Sequence, residues 1–147
     1  MQWILLISMA WAGLTAPTTV STQPTSNLTV NVLDIDTDEE GKIRITLFNK
    51  EDGFPNDYET GYRTQTVAIT GKSVQVNFTD LPYGTYAVAV LHDEDGDKVM
   101  DYNWVGIPTE GWVVSNEVFP ALRSPYFSEA SFELNSASKT LNLHIDY

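Results

Sequence analysis

Residues 78–101 read FTDLPYGTYAVAVLHDEDGDKVMD, and this stretch decides the fold class. Leu81-Pro82-Tyr83-Gly84 has the composition of a tight turn. Proline presets φ at the second position, and glycine suits the fourth position of a type I turn. A strand is expected over residues 85–92. Tyr86, Val88 and Val90 fall on one of its faces, and Ala87, Ala89 and Leu91 on the other. Side chains alternate along a strand, so apolar residues at both parities mark a strand covered on both sides. Asp93, Asp95, Asp97 and Asp101 follow in one loop, where their mutual repulsion calls for water or cations.

Outward from this strand the pattern stays β. Leu28, Val30 and Val32 alternate with polar residues, as do Ile43, Ile45 and Leu47, then Val74, Val76 and Phe78, then Leu141, Leu143 and Ile145. Each of these segments is expected to bury one face and wet the other. Further strands are expected around residues 66–70 and 130–134, with a short one at Trp112-Val113-Val114. No long stretch carries a 3.6-residue period. Short strands with turn signals between them predict an all-β fold, an antiparallel β-sandwich of about 7–8 strands, immunoglobulin-like or prealbumin-like. If successive strands run antiparallel, the turns at 34–41 and 70–72 and the loop 93–101 lie at one end, making an acidic pole. Residues 102–128 break the pattern with a long aromatic, Gly- and Pro-rich connection of the kind that carries function or its own local structure.

The chain has 147 residues and no cysteine, so thiol chemistry and disulfides are excluded. One domain of this size buries roughly two thirds of its surface and needs no metal merely to fold. Residues 1–16, MQWILLISMAWAGLTA, are apolar and uncharged. They are shorter than the roughly 20 residues of a membrane-spanning helix. They read as a signal peptide cleaved after Ala12 or Ala16, with 17–26 a flexible linker and 27–147 a single β-sandwich domain. Periplasmic or secreted localisation is therefore expected. Every charge lies after the leader, and the net charge is −12. Such a domain does not bind nucleic acid by neutralising phosphates, and anionic membranes repel it.

The acidic loop is the leading candidate metal site. Asp93, Asp95, Asp97, the Val99 carbonyl and Asp101 occupy positions 1, 3, 5, 7 and 9 of an EF-hand-like loop, and Ca²⁺ accepts oxygen ligands in flexible geometry. Asn103, Glu110 or Asn116 would complete the shell. The loop departs from the EF-hand in having Gly96 at position 4, glycine being wanted at 6, and Trp104 at position 12. The Asp34, Asp36 and Asp38 cluster reads as a plain hairpin turn. His92 is isolated from the metal-ligand and hydrolase motifs, so a structural imidazole is expected and a catalytic base is the alternative. No catalytic motif is recognisable, and an enzyme is not expected. Trp104 and Trp112 are candidate stacking platforms for a glycan.

The turn Asp80-Leu81-Pro82-Tyr83-Gly84, the run His92-Asp93-Glu94-Asp95-Gly96-Asp97, Gly106-Ile107-Pro108-Thr109-Glu110-Gly111 and Ser115-Asn116 together resemble a bacterial family, the domain of unknown function family 2141. The turn alone is similar to those of transthyretin-like and collagen-adhesin B-type sandwich domains. The resemblance implies an exported bacterial β-sandwich and brings no established activity. The expected function is an exported binding or structural module, with Ca²⁺ as its one candidate cofactor and an unknown protein or glycan as partner. The alternatives are a carbohydrate-binding module using Trp104 and Trp112, and a hydrolase using His92 with nearby carboxylates.

Overall fold

The computed structural model describes residues 23–147. The leader expected over residues 1–16 lies outside them. Two sheets form the domain. The first has three strands in the order β4 (Ser73–Pro82), β1 (Thr25–Leu33), β8 (Ser138–His144). The second has five: β3 (Arg63–Ala68), β2 (Lys42–Phe48) and β5 (Gly84–Asp93), with β6 (Trp112–Val114) and β7 (Phe132–Leu134) sharing the far edge of β5. No helix of the described residues is long and apolar enough to cross a membrane.

The inward faces are the expected ones. Leu28, Val30 and Val32 of β1, Ile43, Ile45 and Leu47 of β2, and Tyr86, Val88 and Val90 of β5 all join one core between the sheets. The outer face of the three-stranded sheet is polar and laddered. Thr29 bonds Asn77 at 2.8 Å, Asn31 bonds Asn142 at 2.8 Å, and Gln75 bonds Asn31 at 2.7 Å. This is the polar-out alternation of a sheet wet on one side.

Four expectations change. First, β2 is buried on both faces: Arg44 is 9 % exposed and Thr46 is fully buried. Both lie on the face that carries Ala89 and Leu91 of the neighbouring β5, and long connections cover that face. Second, one strand pair is parallel, β1 with β8. Both β6 and β7 run antiparallel to β5 on the same edge, joined through the short helix α1 (Phe127–Ala130), so the up-down alternation slips once before the last strand. Third, residues 34–41 do not close the expected hairpin, and neither they nor the tight turn at 81–84 joins strands of one sheet. Each carries the chain from one sheet to the other, and Ile35 and Leu81 sink into the core there. Fourth, β1 begins at Thr25, inside the stretch expected as linker. Ser26 is buried, and the Pro24 carbonyl accepts from Tyr83 N at 3.2 Å.

A second cluster packs on the outer face of the five-stranded sheet. Phe48, Ala87, Ala89, Leu91 and Val114 are roofed there by Tyr58, Met100 and Ala130, with Phe54, Trp112 and Phe127 alongside. The connections 49–62 and 94–130 supply this roof, so β5 is covered on both faces as its composition requires. The turn Ser115–Glu117 locks the roof down. Buried Ser115 Oγ donates to the Ala130 carbonyl at 2.5 Å and accepts from Val88 N at 2.9 Å. Asn116 and Glu117 both have positive φ, 64° and 51°. Glu117 then accepts from His144 N and from the His144 ring at 2.9 and 2.6 Å, closing the outer edge of β8.

Two outcomes follow from these placements. Val88→Asp should abolish folding, because an unpaired buried charge costs several kcal/mol or more against a total of about 5–15 kcal/mol. Asn142→Asp, on the wet face with its acceptor retained, should leave the melting temperature nearly unchanged. Equal soluble yield of the two variants would refute the assignment of faces. The Glu117–His144 bond holds the His144 pKa above the ordinary imidazole value, with Asp34 adding to it, and holds Glu117 below the ordinary carboxylate range. The histidine's contribution is whole below about pH 6.5 and fades as pH rises through the raised value; the glutamate's fades as pH falls through the depressed one. The stability lost in Glu117→Gln should therefore be largest near about pH 5–6 and shrink toward about pH 8, and small throughout because the pair is exposed. The His144 titration followed by NMR should move down in the variant.

Candidate functional site

Three connections meet at one end of the sandwich. Ile35 N donates to the Lys72 carbonyl at 3.1 Å, and the His92 ring reaches the Glu40 carbonyl at 3.0 Å. The end shared by residues 34–41, 70–72 and 93–101 is thus the acidic pole that strand parity predicts.

His92, the next-to-last residue of β5, organises this end. It is fully buried. A carbonyl only accepts, so Nε2 carries the hydrogen toward Glu40, and Nδ1 accepts from the Tyr147 hydroxyl at 2.8 Å. That hydroxyl accepts in turn from Asp36 N at 2.9 Å. Gly111 makes the arrangement possible, since a Cβ there would strike the Tyr147 ring. Gly41 is needed for a similar reason: its φ is 118°, and a Cβ would run into the Asp93 backbone. Both His92 nitrogens are engaged, so its ring offers no free base to a substrate.

The acidic loop departs from β5 just after His92. Asp93 is 3 % exposed and acts as the loop's hub, its Oδ1 accepting from Gly96 N at 3.1 Å and Lys98 N at 3.2 Å. Its Oδ2 faces Arg44 Nη2 at 3.8 Å. Asp95 and Asp97 are exposed, and each caps the amide two residues on, at 2.9 and 2.8 Å. Oxygens of Asp93, Asp95 and Asp97 lie within 4.8 Å of one another, the only such convergence of three among the described residues. Position 6, where glycine is wanted, is Lys98, and it takes the turn anyway with φ of 73°.

The other expected ligands are placed differently. The Asp101 carboxylate is outside the converging group. Val99 N donates to Asp97, and the residue is exposed. Glu110 is 4 % exposed and uses both oxygens to staple the loop, accepting from Glu94 N at 3.0 Å and Asp101 N at 3.1 Å. Burial holds its carboxyl above the ordinary range despite these two bonds. Asn103 accepts from Val105 N and Ile107 N within its own turn. Asn116 is engaged with the Glu129 and Ser131 carbonyls. Asp34, Asp36 and Asp38 do not join the cluster.

The two tryptophans part company. Trp104 is 96 % exposed at the tip of the turn after the acidic loop. Trp112 is half-buried on β6, packs edge-on to Phe119 at 5.1 Å and lines a groove of about 680 Å³. Trp104 is not among the residues that line it. The groove is the feature sequence reading missed. Its walls come from 55–58, 100–108 and 119–125, three segments with no shared motif. Only the aromatic and proline enrichment of 102–128 signals it.

Glu110→Gln leaves one carbonyl oxygen where two amides need acceptors, so one partly buried N–H loses its partner. It should cost about 1–3 kcal/mol in chemical denaturation and speed hydrogen exchange at Glu94 or Asp101. Unchanged stability would show that the loop does not depend on the staple.

No curated protein and no solved structure matches the chain. One family does, described as an uncharacterized protein conserved in bacteria, over residues 30–142. That span runs from the middle of β1 to within β8 and takes in strands of both sheets, the acidic loop and the groove walls at 55–58, 100–108 and 119–125. The chain belongs to this bacterial family, DUF2141.

Proposed function

We propose that the chain is an exported binding or structural module whose acidic loop takes up Ca²⁺. The carrying observation is the convergence of Asp93, Asp95 and Asp97 within 4.8 Å. Two oxygens sharing one Ca²⁺ at about 2.3–2.6 Å can stand no more than about 5 Å apart, so the spacing suits a single ion. The Val99 carbonyl follows at position 7, next to Lys98 with its positive φ of 73°. Water would fill the remaining positions. A bound dication relieves repulsion among five carboxylates between residues 93 and 101 and adds to the hold of Glu110 on the loop.

The leader supports a periplasmic or secreted location. The charge of −12 weighs against nucleic acid and membrane surfaces as partners, leaving a protein or a glycan. Engagement of both His92 nitrogens supports a non-catalytic part for that residue. Glycan recognition is the second reading, drawn from the exposure of Trp104.

The test is melting temperature against Ca²⁺, Mg²⁺ and NaCl at matched ionic strength. Binding to the native state alone adds about 2.7 kcal/mol when Ca²⁺ is at 100 times Kd, a rise on the order of 10 °C for a domain of this size. Asp95→Asn with Asp97→Asn should remove most of the rise. A Ca²⁺ response no greater than that of matched NaCl would make the loop a solvated acidic turn. A double mutant that responds like wild type would put the ion elsewhere.

A further inference from the structure

The groove lies on the outer face of the five-stranded sheet, floored by Ala89 and Val114. Pro55, Pro108, Pro120 and Pro125 stand in its walls. The walls are tied in place: Tyr102 bridges Pro108, Asn56 bonds Ser124 at 3.2 Å, and Arg123 forks onto Glu129 at 2.7 and 2.8 Å. A groove held this way is formed before anything enters it, which lowers the cost of binding. Its rim leaves apolar side chains in water. Leu122 is 99 % exposed, Ile107 57 % and Phe119 40 %. Large apolar side chains left exposed around one groove are the composition of an interaction site.

The lining also says what would enter. Asn56 and Ser124 bond each other and Arg123 is neutralised by Glu129, so the polar groups of the lining are partly engaged within the wall while most of the lining is apolar or aromatic. Arg123 and Asp146 are the charged residues of the lining, and the Asp146 carboxylate has no ion-pair partner among the described residues. The wall at Tyr102 continues directly from the acidic loop, in a chain of net charge −12. An apolar anion would be repelled, and an apolar cation drawn in.

We propose that this groove docks an apolar peptide segment bearing lysine or arginine, presented by a partner protein. Apolar side chains sit between the Ile107 and Leu122 rims against Trp112 and Phe119, and a cation meets Asp146. The proposal rests on the binding-module reading and not on the Ca²⁺ site.

The experiment is calorimetric titration of the folded domain at physiological salt with four probes. These are a Leu/Phe/Lys decapeptide, its Leu/Phe/Glu counterpart, a Lys/Gly decapeptide of equal charge, and a cello-oligosaccharide. The first should bind. The second should not, and the third should be at least tenfold weaker. Ile107→Ser with Leu122→Ser, both exposed and so compatible with folding, should weaken the first at least tenfold, and Asp146→Asn severalfold. Equal binding of the Lys/Gly peptide would reduce the effect to non-specific charge attraction and overturn the proposal. So would full affinity in the groove variant, or no binding of the first peptide. Binding of the oligosaccharide in its place would overturn the proposal and leave the binding-module reading standing.

Discussion

Burial of β5 on both faces is the constraint on which the rest depends. A strand that carries Tyr86, Val88 and Val90 on one side and Ala87, Ala89 and Leu91 on the other must be covered twice. The three-stranded sheet covers the first side. No third sheet exists among the described residues, so the long connections 49–62 and 94–130 cover the second. Those connections are therefore structural, and the small alanines of β5 let their aromatic side chains approach closely. The groove is what remains where this irregular roof does not close. It arises because loops cover a sheet less completely than a second sheet does.

The same constraint explains the acidic end. The end of β5 delivers His92 into the interior, where an imidazole must have both nitrogens bonded. Tyr147 and the Glu40 carbonyl meet that need, and in doing so they bring the end of the chain and the β1–β2 connection against the acidic loop. Asp93 and Glu110 are the buried acids of this end: Glu110 spends both oxygens on backbone amides, and Asp93 spends Oδ1 on two amides while Oδ2 faces Arg44. The loop is thus held in shape by protein groups, and Asp95 and Asp97 are left to solvent. Such division of labour between buried and exposed carboxylates lets a loop stay folded while its charge stays available.

Sheet edges are managed with the same economy. Arg63 and Gln65 of edge strand β3 reach the Thr79 and Asn77 carbonyls of edge strand β4 at 2.6 and 2.7 Å, and Glu117 occupies His144 N on β8. Unpaired edge groups invite pairing with other chains, and these side chains occupy several of them. Pairing with further chains at these edges is thereby discouraged.

Local chemistry determined a good part of this in advance. Period-two alternation at Leu28, Ile43, Val76 and Leu143 specified strands and their inward faces, because a one-residue shift would put every apolar side chain in water. Apolar residues at both parities of β5 specified a central strand, and alternating aspartates specified a tight acidic turn. Pairing was another matter. That β1 lies parallel to β8, that residues 34–41 and 81–84 cross between sheets, and that Arg44 and Thr46 are covered all depend on where distant segments pack. The groove and the separation of Trp104 from Trp112 depend on it too, since three segments far apart in the chain build the walls. A strand's faces are written in its own residues, but its neighbours and its covering are chosen by long-range packing, which leaves no local period to read.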